Sequence, residues 1–302
     1  MLTGSDFSPV TMADRDLFFS HYRKFPQFHS DNTFTNMICW NPYAHYRFAC
    51  KKENLIISST IEKKTSFRMP IGPGNPELLA DLLELCIREG GEAPLSLVDA
   101  GQRAWILSEY PDLSLHPDRN YFEYVYRTED LATLPGKDYL SIRRHLNRFR
   151  KNCKPVVEPI DKKNRDEVSE FLIEWCEWKN CDGEPFLTHE KEALTCALSH
   201  MEELGLLGLL IRVVEKVGAI SLFEPLNEET LVVHFEKGLP DCEGIYKAIN
   251  AETAFYARER FAFINRESDM GVPGLREAKM RYHPHHMVEV WYATREDIER
   301  VL

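Results

Sequence analysis

The stretch FINRESDMGVPGLREAKMRYHP, residues 263–284, predicts a strand, a tight turn and a helix in direct succession. The apolar run FAFIN at 261–265 has the composition of a strand, and Ser268 or Asp269 can cap the helix that follows. Pro273 suits the first turn of that helix. The unit therefore predicts a strand whose carboxyl end leads into a capped helix, a place where α/β-type sheets usually bind ligands.

Glycines and charged side chains surround this turn. Gly271 and Gly274 allow the backbone to approach a ligand closely, and Arg276 and Lys279 lie three positions apart on one helix face. Asp269 is a candidate catalytic residue. The candidate substrate-binding residues are Asn265, Arg266, Arg276, Lys279 and Tyr282. The alternative is a well-capped surface helix, because capping alone explains Asp269.

A second set of candidates lies in GAISLFEPLNEETLVVHFEKG, residues 218–238. Its apolar runs predict antiparallel strands at 217–225 and 230–236, joined by a short turn. The turn brings Glu224 on the first strand close to His234 on the second. Either side chain is a candidate catalytic base for an amine nucleophile. The alternative is a partly buried histidine that pairs with a carboxylate for structural reasons.

The segment SDNTFTNMICWNPY, residues 30–43, predicts a short helix with one apolar side. Asp31 or Asn32 can cap this helix, and Phe34 and Trp40 belong to its apolar side. The helix could direct its N-terminus into a groove, but packing in the core explains the same pattern.

The order of predicted elements repeats along the chain. The first half has a helical region, a three-stranded meander, a helix and two short strands, at 11–24, 45–50, 54–61, 65–71, 76–89, 95–98 and 121–127. The second half has two helices, a meander, a helix and a strand, at 164–180, 189–204, 207–215, 217–225, 230–236, 244–260 and 261–265. This repetition predicts an α+β fold with two domains, 1–135 and 155–302, joined by 136–154.

The joining segment GKDYLSIRRHLNRFRKNCK, residues 136–154, is strongly basic in an otherwise acidic chain. Ile142, Leu146 and Phe149 occur at helical spacing, so an apolar stripe can anchor a helix here. The candidate nucleic-acid-binding residues around that stripe are Arg143, Arg144, His145, Arg148, Arg150, Lys151 and Lys154. The alternative is a solvated linker helix.

The bulk composition is that of an acidic globular protein. The chain of 302 residues has a formal net charge of −11 and a pI of about 5.5, which disfavours nonspecific nucleic-acid binding over its whole surface. The eight cysteines have no zinc-site spacing, so we expect free thiols and no metal. No signal peptide or membrane-spanning run is recognisable, and we expect a cytoplasmic location.

Three segments resemble a known family: YFEYVYRTEDLATLPGKDYLSIRRHLNRFRK at 121–151, the segment 263–284, and SDNTFTNMICW at 30–40. They are similar to bacterial and archaeal proteins grouped with the C-terminal domain of phosphatidylglycerol lysyltransferase. The resemblance implies two tandem Gcn5-related N-acetyltransferase-like domains with mixed central sheets flanked by helices, arranged as in the Fem peptidoglycan aminoacyltransferases. It also implies transfer of an aminoacyl group from a charged tRNA to a lipid or peptide acceptor.

One segment departs from the acetyltransferase pattern. Acetyl-CoA enzymes of this superfamily usually have a basic, glycine-rich loop whose backbone N–H groups bind pyrophosphate. At that place this chain has EKGLPDCEGIYKA, residues 236–248, with the acids Asp241 and Glu243. Carboxylates repel phosphate, so the segment disfavours binding of CoA. Aminoacyl-tRNA and acyl-CoA both stay open as donors.

The sequence thus predicts an acyl- or aminoacyltransferase in which an amine or hydroxyl attacks a donor ester or thioester. That chemistry needs an oriented nucleophile, a base for its proton and donors for the developing oxyanion. The alternative is a noncatalytic module that binds a nucleotide or peptide on the same tandem fold.

Overall fold

The computed structural model describes residues 1–302 except the side chain of Asp182. The strands, in chain order, are β1 Ser8–Pro9, β2 Arg47–Lys51, β3 Asn54–Ile61, β4 Lys64–Phe67, β5 Leu95–Val98, β6 His116–Pro117, β7 Glu123–Arg127, β8 Val156–Pro159, β9 Leu207–Val213, β10 Lys216–Pro225, β11 Thr230–Gly238, β12 Phe263–Ser268, β13 His286–Val288 and β14 Trp291–Ala293. The α-helices are α1 Arg15–Lys24, α2 Phe34–Cys39, α3 Asn41–Ala44, α4 Pro76–Glu89, α5 Ala100–Glu109, α6 Thr128–Thr133, α7 Leu140–Cys153, α8 Arg165–Lys179, α9 Pro185–Ser199, α10 Met201–Leu204, α11 Ile245–Ala257, α12 Pro273–Met280 and α13 Arg295–Glu299. None of the described helices is both long and apolar enough to cross a membrane.

The strands form two mixed sheets. In the described chain the first sheet has the order β1-β2-β3-β4-β5-β14-β6, and the second has the order β13-β7-β12-β11-β10-β9-β8. Each sheet contains a parallel pair, β4 with β5 and β11 with β12, among antiparallel neighbours. Helices pack on both sheets, so the predicted α+β fold with mixed central sheets flanked by helices is confirmed.

The parallel strands of each sheet diverge. β11 and β12 pair from Thr230 opposite Phe263 to Val232 opposite Asn265, and both strands then continue without pairing to each other. In the first sheet β4 and β5 meet at a single residue pair. The gap beyond the last pair of β11 and β12 lets side chains of the two strands face each other.

The two halves of the chain exchange strands. β7, from the first half, lies in the second sheet between β12 and β13, whereas β14 lies in the first sheet between β5 and β6. The helix α13 follows β14, and its Ile298 packs in the core of the first sheet. The domain ranges 1–135 and 155–302 stay a prediction, but neither sheet is built from one of these ranges alone.

Three apolar clusters of described residues hold the elements together. On the first sheet, α4 buries Leu78, Leu82 and Leu83 completely. On the second sheet, α7 and α11 share one core. A third cluster joins the two halves, since Phe34 of α2 and Trp175 of α8 belong to it. Burial of each such side chain contributes about 1.5–3 kcal/mol relative to exposure.

The expectation of free thiols is wrong for four of the eight cysteines. Disulfides join Cys153 to Cys242 and Cys176 to Cys181. The first pair is separated by 89 positions and connects the end of α7 to the loop before α11. Spacing along the chain could not show this proximity, because it arises from the packing of α7 against α11.

Truncating Ile298 tests whether the strand exchange couples distant parts of the chain. Ile298 is fully buried, so Ile298→Ala is expected to lower the free energy of unfolding, measured in urea, by about 2–5 kcal/mol. Hydrogen exchange should also rise in α4 and β5. The control Ile173→Ala, on the exposed surface of α8, should change stability by less than about 0.5 kcal/mol. Unchanged exchange in β5 of Ile298→Ala would contradict the coupling.

Candidate functional site

The hairpin of β10 and β11 contains a β-bulge at His234. Leu222 pairs with Phe235 and Phe223 pairs with Val233, so His234 is the extra residue between them. A bulge re-aims a side chain relative to the regular alternation of a strand. The His234 side chain is only 1% exposed, and it reaches across the gap to β12.

Two carboxylates hold the His234 ring. Nε2 donates to Oε1 of Glu224 on β10 at 2.8 Å, and Nδ1 donates to Oε1 of Glu267 on β12 at 2.8 Å. Burial would lower the pKa of His234, but the hydrogen bonds to the two carboxylates outweigh it and raise the pKa to about 10. His234 is therefore an imidazolium at neutral pH. Although burial opposes it, this cation keeps the pKa of Glu267 below its usual value.

Glu267 is held by both halves of the chain. Its backbone is left-handed, with φ 57°, and its N–H donates to Oδ1 of Asn265 at 2.8 Å. Asn265 is fully buried, and its Nδ2 donates to Oε2 of Glu123 at 2.6 Å. From the first half, Asn36 of α2 donates to Oε1 of Glu267 at 3.3 Å. The Glu267 carboxylate therefore has a defined position.

Asp269 is enclosed by donors. Its carboxylate accepts hydrogen bonds from Arg119 at 3.1 Å, Tyr124 at 2.5 Å, Arg276 at 2.8 Å and the backbone N–H of Gly271 at 2.9 Å. Although burial opposes it, these donors, Arg276 first, hold the pKa of Asp269 well below its usual range. The side chain does not belong to the cavity lining described below. These contacts fix the turn between β12 and α12.

Arg266 bridges the diverging strands a second time. Its Nε donates to Oε2 of Glu236 on β11 at 3.1 Å. Its guanidinium lies over the ring of Tyr282, 5.1 Å from the ring centroid. The gap between β11 and β12 is therefore crossed by two ion pairs, this one and that of His234 with Glu267.

A cavity of about 170 Å³ lies beside His234, between the two halves of the chain. Its walls carry aromatic side chains, namely Trp40, Tyr43, Tyr46, Tyr121 and Phe186. The rings of Trp40 and Phe186 are stacked, with their centroids 5.7 Å apart. Because aromatic faces attract cations, these walls suit a positively charged group.

Carboxylates complete the cavity lining. The Glu267 side chain is 26% exposed and faces the cavity. Glu190 of α9 also lines it and forms an ion pair with Lys237 at 2.7 Å. Asp31 lines it too, and its carboxylate has no ion-pair partner among the residues that the structure describes.

The charged groups that line the cavity, together with their ion-pair partners, sum to a negative value. The histidine cluster, defined as Glu224, His234 and Glu267, carries one net negative charge when its histidine is an imidazolium. Asp31 adds a second negative charge, while Glu190 and Lys237 cancel each other. Arg68 offsets one charge from a buried position, with its guanidinium 5.3 Å from the ring centroid of Tyr46. The cavity can therefore accept an ammonium or guanidinium group.

The structure separates the predicted site residues into two groups. Glu224 pairs with His234, as the hairpin pattern predicts, and His234 lines the cavity together with its further partner Glu267. A second group forms the layer around the turn and does not line the described cavity: Asn265, Arg266, Asp269, Arg276, Lys279 and Tyr282. From the same stretch, Ser268 and Met270 do line it. For the residues of both predicted groups, a role in catalysis or binding stays a prediction.

Sequence reasoning missed most of the cavity wall. Trp40 and Asp31 lie in the segment 30–43, whose pattern predicts a short helix and leaves open whether that helix faces a groove or packs in the core. No pattern in the sequence marks Tyr121 and Phe186 as cavity residues, because they come from unrelated parts of the sequence. Only the docking of the two halves brings these side chains together.

The predicted nucleic-acid-binding helix is α7, and several of its basic side chains already have partners. Arg148 pairs with Glu243 at 3.1 Å, and His145 lies 3.6 Å from the same carboxylate. Arg150 pairs with Glu252 at 2.9 Å, and Arg143 donates to the Leu134 carbonyl. The exposed cations without an ion-pair partner among the described residues are Arg144, Lys151 and Lys154. The basic surface is therefore smaller than the sequence indicates.

Two mixed sheets, each opened between parallel strands, define a fold of the tandem Gcn5-related N-acetyltransferase type. A family model narrows this class. The family described as phosphatidylglycerol lysyltransferase, C-terminal, matches residues 22–294, and the chain belongs to this family. Among proteins with curated functions, none matches the chain.

Solved structures agree with this assignment. A conserved protein of unknown function from Bacteroides thetaiotaomicron VPI-5482 is 33% identical with a TM-score of 0.88, covering 95% of this chain and 98% of that one. L-PGS from Bacillus licheniformis is 12% identical with a TM-score of 0.66, covering 93% and 91%. FemX is 10% identical with a TM-score of 0.56, covering 98% and 99%. The last two show a shared fold.

Replacing His234 by asparagine tests the charge of the imidazole. Because its pKa is raised from 6.5 to about 10, its stabilising contribution is complete below about pH 6.5 and is lost as the pH rises through about 10. Between pH 7 and 9, the unfolding free energy of the wild type should fall about 1 kcal/mol per pH unit more steeply than that of His234→Asn. Urea denaturation at several pH values measures both slopes. Parallel slopes would show that the folded protein holds a neutral His234.

Proposed function

We propose that the chain transfers an acyl or aminoacyl group and that its cavity holds a cationic amine of one reactant. The observation that carries this proposal is the cavity between the two halves, which combines aromatic walls with an excess of carboxylates. Family membership supports the reaction class, because the description of the family names a lysyltransferase. Lysine carries the kind of cation that the cavity suits.

The reaction joins a nucleophile to the carbonyl carbon of a donor ester. A hydroxyl or amine of the acceptor attacks, its proton passes to a carboxylate, and the ester oxygen leaves and takes up a proton. We assign the carboxylate role to Glu267, because it faces the cavity and is fixed by the histidine cluster. His234 and Glu224 act through Glu267 by keeping it ionised and in place.

Aminoacyl-tRNA is the donor in this proposal, and a lipid or peptide is the acceptor. The exposed cations of α7, Arg144 and Lys151, fit a polyanionic donor. The acids Asp241 and Glu243 disfavour the phosphates of CoA. A cytoplasmic location belongs to the same proposal, since charged tRNA is found there.

The low pKa of Glu267 favours a second candidate function. A carboxylate that is hard to protonate is a weak base. The same cavity would then serve a noncatalytic module that binds a cationic peptide without group transfer.

A transfer assay with charged tRNAs tests the proposal. Radiolabelled lysyl-, arginyl- and alanyl-tRNA are each incubated with the protein and with a lipid extract or peptidoglycan peptides. We expect label to move to an acceptor from lysyl- and arginyl-tRNA, whose side chains add a cation to the α-amino group that all three donors share. Equal transfer from alanyl-tRNA contradicts the cation site, and no transfer from any donor contradicts the enzymatic proposal. Calorimetry with lysine amide then tests the binding module.

Two variants of the cavity lining test how the cation is held. Trp40→Ala removes an aromatic wall and Asp31→Asn removes an unpaired carboxylate, so each should weaken binding of lysine amide by about 5- to 30-fold. Calorimetry measures this binding. Glu228→Gln, which removes an exposed acid from the turn between β10 and β11, is the control and should bind like the wild type. Wild-type affinity in both cavity variants would place the cation elsewhere.

Charge reversal on α7 tests the tRNA donor. The double variant Arg144→Glu with Lys151→Glu should lower tRNA affinity by at least about tenfold and make it less dependent on salt, because fewer phosphates are neutralised. Filter binding over a series of salt concentrations measures both effects. Arg281→Glu, at an exposed cation outside α7, is the control. A wild-type protein that binds no tRNA at low salt contradicts this donor and leaves a small acyl donor.

A further inference from the structure

Lys279 of α12 makes contacts that the proposed reaction does not use. The residue is only 8% exposed. Its Nζ donates to three consecutive backbone carbonyls, those of Arg266 at 2.6 Å, Glu267 at 3.1 Å and Ser268 at 2.6 Å. An ammonium has three N–H donors, and these carbonyls use all of them. Lys279 therefore has no donor left for a substrate, unlike the binding role predicted from the sequence.

The three carbonyls converge because the backbone leaves the strand conformation at this point. Glu267 has φ 57°, in the left-handed region that disfavours residues with a β-carbon. The pairing of β12 with β7 is irregular between Asn265 and Ser268. The backbone thus receives little support from the sheet here. An ammonium bound to all three carbonyls supplies the missing support with charge-assisted hydrogen bonds.

Glu267 connects this turn to the cavity. The Glu267 backbone carbonyl accepts a hydrogen bond from Lys279, and the Glu267 carboxylate accepts one from His234. Its side chain is also part of the cavity lining. Any shift of the turn moves the carboxylate relative to the imidazole and to a bound reactant.

We propose that Lys279 is a positioning residue, whose ammonium holds the turn at 266–268 in the conformation that aims Glu267 at His234 and the cavity. The inference rests on the proposed function in one respect, which is that Glu267 acts on the nucleophile. It assigns Lys279 a role in the site without contact to substrate.

The ammonium is also poised to lose a proton at moderately alkaline pH. The charged groups that face it are Arg266 and Glu267 on β12, Glu123 on β7 and Glu236 on β11. Burial first, and then Arg266, lowers the pKa of Lys279 to about 8. A neutral amine has two N–H donors for three carbonyls, so the turn should loosen as the pH rises through about 8.

Lys279→Met tests the inference because it removes the donors and keeps the length of the side chain. The readout is the NMR titration of the His234 ring in protein with ¹⁵N-labelled histidine, assigned by its absence in His234→Asn. Loss of a positive charge alone would raise the pKa of His234, whereas loss of the Glu267 hydrogen bond lowers it. We expect a fall of at least about one unit in Lys279→Met, as in Glu267→Gln. Arg281→Met, an exposed cation next to the same helix, is the control and should titrate like the wild type.

An unchanged His234 titration in folded Lys279→Met overturns the inference. If that variant does not fold, Lys279→Ala with added methylammonium replaces it, since the small cation can refill the ammonium position. Recovery of the wild-type His234 titration then supports the inference, and failure to recover overturns it. The titration needs no group transfer, so a wild type without transfer activity contradicts only the proposed function. Where transfer occurs, Lys279→Met should lower turnover as Glu267→Gln does, and the double variant should be no slower than either.

Discussion

The imidazolium of His234 is the interaction on which the site depends. It joins three neighbouring strands, because Glu224 lies on β10, His234 on β11 and Glu267 on β12. A single buried charge would be costly, and here two carboxylates share one cation. The cluster therefore sets how far β11 and β12 diverge. It also leaves one net negative charge at the edge of the cavity, where a cationic reactant can use it.

The cavity belongs to neither half of the chain. Trp40 and Asn36 come from the first half, whereas Phe186 and Glu267 come from the second. The apolar cluster between the halves fixes the distance between these walls. Strand exchange adds backbone hydrogen bonds to this packing, since β7 is paired within the second sheet. The dimensions of the cavity thus depend on ladders of backbone hydrogen bonds as well as on side-chain packing.

Local patterns in the sequence predicted local structure well. The helix predicted at 76–89 has these bounds as α4, because a proline at its start and a glycine after its end act within a few residues. The pairing of His234 with Glu224 followed from a short turn, but the bulge that frees the ring to reach Glu267 has no sequence signal.

Distant contacts could not be predicted, since they depend on tertiary packing. Arg148 was expected to be free for nucleic acid, yet it pairs with Glu243, which lies 95 positions away. The Cys153–Cys242 disulfide connects the same two regions. β14 is short and gives no sign of which sheet it joins. These contacts can be seen only in the folded chain, where distant segments pack together.

The exchange of strands also imposes an order on events during synthesis. β5 finds its neighbour β14 only after the whole second sheet has been translated, because β13 precedes β14 in the chain. Until then β5 presents an unpaired edge, and such edges are templates for pairing with other chains. Ribosomes that follow each other on one messenger RNA hold several chains in this state side by side. The nascent first half therefore carries this unpaired edge until residues 291–293 leave the exit tunnel.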